Sequence, residues 1–65
     1  MAAYREEVTP ERAAVIKTAR ALGYKYAVIA SYFVINQGGI ADVMKGRMHT
    51  DVPPAPLPPD FPALA

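Results

Sequence analysis

Asn36 and Gln37 stand side by side in "VINQGGIADVMKGR", and each ends in an amide that both donates and accepts in one plane. That is the chemistry of a base edge: a glutamine amide donates to adenine N7 and accepts from its N6 amino group. Gln37 is the expected reader, with Asn36 sharing the role. Gly38 and Gly39 follow, where bare backbone permits close approach to a groove floor or to a neighbouring helix. Lys25, Lys45, Arg47 and His49 flank the pair and suit phosphate oxygens, whereas Asp42 repels phosphate and accepts only from a cytosine amino group. The expected contact set is Lys25, Asn36, Gln37, Gly38, Gly39, Asp42, Lys45 and Arg47, and its expected partner is double-stranded DNA.

Other chemistries lack their parts. The chain has no cysteine, which removes disulfides and thiolate metal sites together. His49 is the only histidine and has no acidic neighbour at ligand spacing, so no metal is expected. No nucleophile, base and orienting group converge, and no glycine-rich phosphate loop follows a strand; neither catalysis nor a cofactor is expected. Residues 1 to 8, "MAAYREEV", lack the apolar core of a signal sequence, and no stretch approaches the ~20 apolar residues of a membrane span. The expected setting is the cytoplasm, away from membranes.

The elements that must position these residues fit within 65 residues, at most one domain, whose small core favours support from a second copy or a hetero-partner. The net charge of +1 hides an asymmetry. Residues 1–50 hold all seven Lys and Arg against four acidic residues, leaving +3, whereas residues 51–65 carry only Asp51 and Asp60, leaving −2. Composition breaks near Thr50, beyond which lie six of the seven prolines; missing amides and restricted pre-proline residues exclude helix and sheet there. Scattered through this tail are Val52, Leu57, Phe61 and Leu64. Either the tail lies across its own domain, or Leu57 and Phe61 bind a partner or clasp a dimer. The expected organisation is a flexible N-terminus over 1–8, a folded unit over 9–49 and a proline-rich tail over 50–65.

Three helices can be drawn in the folded unit. Thr9 caps the first, Pro10 sits where a missing amide costs nothing, Glu11 favours the helix dipole, and Gly23 closes it after Leu22. Ala13, Ile16, Ala19 or Arg20, and Leu22 or Gly23 lie near one stripe, and the default for Lys17 and Arg20 is a solvated face. The second helix, Tyr26 to Phe33, begins without a side-chain cap in "GYKY". The third takes Asn36 as cap, Gln37 to Lys45 as body and Gly46 as left-handed terminator. Tyr24 is expected inside, and Tyr26 and Tyr32 are expected outward, where amphipathic rings suit an interface, and Tyr4 is grouped with them.

Ile29, Ala30, Phe33, Ile35, Ile40 and Val43 fall where a helix-turn-helix needs its shared core, with Ala30 small because the third helix crosses over it. Here "IASYFVINQGGIADV" resembles the motif of small bacterial helix-turn-helix DNA-binding proteins, approximately "IA..YGVNQGRISEV", over about residues 9–47. The resemblance implies an all-α, three-helix domain with the third helix in the major groove, and a small transcriptional regulator. Two positions depart from it. Val34 replaces the glycine usual at the turn, where φ tends to be positive, so the turn is expected to be rearranged or strained. Gly39 replaces a usual arginine, removing a phosphate or guanine contact. These departures, with Asp42, point to an alternative: a helix-turn-helix that has lost DNA and become a protein-binding module, an antagonist or adaptor of a transcription factor.

Overall fold

A computed structural model describes residues 8–64; the expected flexible N-terminus, Tyr4 included, lies outside them except for Val8. Three α-helices follow in order: α1 Pro10–Leu22, α2 Tyr26–Phe33 and α3 Gln37–Met44. No strand occurs among the described residues, and no single helix among them is long and apolar enough to cross a membrane.

α1 starts as its sequence dictates. The Thr9 side chain accepts from the Arg12 amide at 3.2 Å, while Pro10 occupies the first helical position. Its end repeats at α2, with different residues in the same geometry. At Gly23 (φ 103°), the Gly23 amide donates to Arg20 O and the Tyr24 amide to Ala19 O. At Val34 (φ 57°, ψ 50°), the Val34 amide donates to Ser31 O and the Ile35 amide to Ala30 O. Both are left-handed C-terminal turns of the Schellman type, and each delivers the next side chain, Tyr24 or Ile35, into the core. Glycine takes this conformation freely; a β-branched residue is strained in it. The expectation of strain at the second turn is met, and Val34 gains little packing in return, being 53% exposed.

The turn sets the axes of α2 and α3 at 115°, and Ala30 lies buried at their junction. Ile16, Ile29, Ile35 and Ile40 are the largest fully enclosed side chains, joined by Ala13, Ala19, Tyr24, Ala30 and Val43. Phe33 is half-buried against them. Leu22, placed near the inward stripe by periodicity, is exposed instead, because Gly23 turns the chain away one residue later.

Beyond α3 the chain returns along α1 without regular structure. Ala14, Lys17 and Thr18 form one ledge of α1, spaced by three and four residues. On this ledge the Ala55 amide donates to Ala14 O at 3.1 Å, the Thr18 hydroxyl donates to Ala55 O, and the Lys17 ammonium donates to His49 O at 2.7 Å and Val52 O at 2.6 Å. Lys17 is therefore a clamp, not part of a solvated face. Arg20 departs from that expectation as well: its guanidinium donates to Tyr24 O and lies 4.7 Å from the centre of the Tyr26 ring.

Val52, Ala55, Pro58 and Phe61 recur every third residue and are half-buried, while Pro53, Pro56, Pro59 and Pro62, one step on, are exposed. Through Pro58 this is the repeat of an extended proline-type chain, whose outer edge needs no amide donors; a turn closed by the Phe61 amide on Pro58 O then brings Phe61 inward. Leu57 and Phe61 pack against the chain's own core, so of the two expected arrangements the structure has the arm lying across its own domain. Phe61 meets Tyr24 edge-on with centroids 5.0 Å apart and stands 4.6 Å from Tyr32. The Tyr24 hydroxyl donates to Pro62 O, and the Tyr32 hydroxyl donates to Asp60 Oδ1, both at 2.7 Å. That bond and the adjacent carboxylate charge raise the Tyr32 phenol above its ordinary value.

Two stability changes are expected. Val34→Gly relieves left-handed strain and should raise stability by about 1 kcal/mol, read as a higher urea midpoint at unchanged slope. Phe61→Ala removes the aromatic anchor of the returning segment and should cost about 2 kcal/mol in the same measurement.

Candidate nucleic-acid interface

α3 rises from its cap with Asn36, Gln37 and Gly38 exposed. Asn36 Oδ1 accepts from the Gly38 amide at 2.8 Å, fixing the start of the helix. This bond commits the carbonyl end of Asn36 and leaves its amino group as a donor. Gln37, at the first helical position, is exposed and its side chain has no hydrogen-bond partner among the described residues. Of the two adjacent amides, only Gln37 keeps both ends available for a bidentate contact.

At 100° per residue, Ile40 and Val43 point to the core, and Gly38, Ala41, Asp42 and Lys45 fall on the opposite side. Gly38 is exposed, and a methyl group there would stand 3.3 Å from Asn36 Oδ1, crowding the cap. Gly39 falls on the flank of the core and is half-buried; a Cβ there would stand 3.0 Å from Val8 Cγ2. Of the two uses foreseen for bare backbone, Gly39 serves close packing within the fold. The position does not face outward with the others.

The cations divide into those already engaged and those still free. Arg47 donates to Asp42 Oδ1 at 3.1 Å, so the acid that faces outward on α3 carries its own counter-charge. Such an exposed pair is worth little, about 0 to 1 kcal/mol, and gives way readily to a phosphate. His49 is tied inward, its Nε2 2.6 Å from Val8 O, and is not poised as a backbone grip. Lys45, at the end of α3, and Lys25, before α2, are exposed and have no partner among the described residues.

An open groove of about 560 Å³ runs between α2 and the start of α3, with Ala27, Ser31 and Val34 on one bank and Asn36 and Gln37 on the other. Its α2 bank carries no charge. Lys25 does not line it and precedes Tyr32 by two helical turns, along the edge of α2 flanked by the C-terminal segment. The structure thus brings together Asn36, Gln37, Gly38, Asp42, Lys45 and Arg47 on the exposed side of α3, and leaves Lys25 and Gly39 apart from them. No group of three or more His, Asp or Glu that could hold a metal occurs among the described residues.

Sequence reasoning missed Val8 as a packing partner and Lys17, Thr18 and Arg20 as clamps. Val8, Lys17 and Thr18 act on residues more than thirty positions away, and Arg20 acts across the turn at Gly23 on Tyr24 and Tyr26. Proline at every third position from 53 to 62 was the available signal for a docked tail.

Gly39→Arg, which brings in the residue usual in the resembling motif, should lower stability by about 1 to 3 kcal/mol through overpacking against Val8, checked by thermal melting.

No family model, curated protein or solved structure matches this chain.

Proposed function

We propose that the chain is a small helix-turn-helix DNA-binding protein, a transcriptional regulator that lays α3 in the major groove. One observation carries the reading: α3 is held at 115° to α2 with Asn36, Gln37 and Gly38 exposed at its start, and Gln37 stands there with both ends of its amide unengaged. In this reading Gln37 reads an adenine edge, the amino group of Asn36 supplies one further donor, and the short residues Gly38 and Ala41 let the helix sit deep. Lys45 grips a phosphate, and Arg47 exchanges Asp42 for one.

The start of α2 adds little to this docking, because Lys25, which caps it without a side-chain hydrogen bond, stands apart from the groove and from the exposed side of α3. The contact is small. With few cations outside the fold's own clamps, specific binding is expected to need low or moderate salt.

A second reading, a protein-binding module derived from the same unit, is favoured by the uncharged α2 bank of the groove and by the exposed Val34 beside it. A duplex-binding titration at several salt concentrations separates the two, using the DNA around the protein's own gene as probe. Gln37→Ala should cost about 1 to 3 kcal/mol on the preferred site and relax selectivity at one base pair. Lys45→Ala should weaken all sequences alike and reduce the salt slope by about one unit. Absence of duplex binding even at low salt would overturn the DNA reading in favour of the protein-binding one.

A further inference from the structure

α2 is apolar on sides that the fold does not use. Its sequence "YAVIASYF" contains no charge, yet only Ile29 and Ala30 are fully buried. The outer side carries Ala27, Val28 and Ser31, with Val28 37% exposed, and a shallow depression of about 410 Å³ is formed there by these three residues with Tyr32 and Pro62. Ala27 and Ser31, four residues apart, are small enough to let a second helix come near.

Charge appears only at the ends of this face, and it differs in sign. At the N-terminal end stands Lys25, exposed and without a partner among the described residues. At the C-terminal end stands Asp60, exposed and fixed beside α2 by the Tyr32 hydroxyl on its Oδ1, which leaves the other carboxylate oxygen unengaged. Lys25, the cap residue with extended backbone, precedes Tyr32 by seven residues, two turns, so its Cα falls near the edge of α2 that Tyr32 occupies.

We propose that this face joins two copies of the chain in an antiparallel pair about a two-fold axis. A two-fold axis lying in the interface, perpendicular to α2, keeps that edge on the same side and reverses its direction. Lys25 of each copy then meets Asp60 of the other, twice, while Val28 of each enters the depression beside Tyr32 and Pro62 of the other. A parallel pair would carry that edge to the opposite side and gather both Lys25 at one end and both Asp60 at the other, with no pairing of opposite charges, so the charges select the antiparallel orientation. The exposed side of α3 takes no part, and the pairing holds whether or not Gln37 reads DNA.

Sedimentation equilibrium of the full chain, from micromolar concentration upward, tests the pairing. A reversible dimer is expected, and Val28→Lys should abolish it with the helical circular dichroism unchanged. Lys25→Glu and Asp60→Lys should each weaken self-association about tenfold or more, since each places like charges together twice. An equimolar mixture of these two variants should regain the affinity, because every contact in the mixed pair is again between opposite charges. A chain that is monomeric throughout, a Val28→Lys variant that still dimerises, or a mixture no tighter than its components would each overturn the proposal.

Discussion

The grip of α1 on the returning chain is the interaction on which the rest depends. Three helices of 13, 8 and 8 residues enclose few large side chains, and one flank of that core is closed by a segment that is neither helix nor strand, with only isolated turn hydrogen bonds of its own, such as the Phe61 amide to Pro58 O. Ala55 supplies both of its backbone groups to α1, donating to Ala14 O and accepting from Thr18, while Lys17 gathers the carbonyls of His49 and Val52. Prolines on the outer edge lower the entropy of the unfolded segment and leave few amides to satisfy. Once anchored there, the segment sets Phe61 against Tyr24 and Tyr32 and completes the aromatic end of the core.

The same grip decides the electrostatics. In residues 1–50 the balance is +3, which reads as a basic surface, but Lys17 and Arg20 point their charges at carbonyl oxygens and Arg47 at Asp42. A cation that neutralises internal carbonyl dipoles contributes to the fold and offers less to an outside phosphate. Lys45 and Lys25 are the cations on the described surface that this use leaves unengaged. For the proposed DNA contact, selectivity then rests more on the shape and amide chemistry of the first turn of α3 than on its charge.

The two left-handed turns show how one backbone solution accepts different residues at different cost. Gly23 and Val34 make the same pair of capping hydrogen bonds, and in both cases the next residue is buried. The bonds and the buried Ile35 hold Val34 in a conformation its side chain opposes.

The caps at Thr9 and Asn36, the proline after Thr9, Gly23 and the apolar spacing from Ile29 to Val43 determined the three helices and the core between them, because these signals act within a turn or two of the chain. Gln37 was legible as exposed because it follows the cap Asn36 at the first position of a helix whose start is marked, to one side of the Ile40 and Val43 face. What only the tertiary structure decided was which side chains are spoken for. Lys17 and Arg20 look like solvent residues on α1 until the chain returns more than thirty residues later to place carbonyls beside Lys17, and until Tyr24 and Tyr26 turn back over Arg20. Gly39 looks like a missing arginine until Val8 arrives from before α1 to occupy the space. Local propensity acts through neighbours along the chain, whereas the availability of a charge or a surface depends on what folding brings against it from elsewhere.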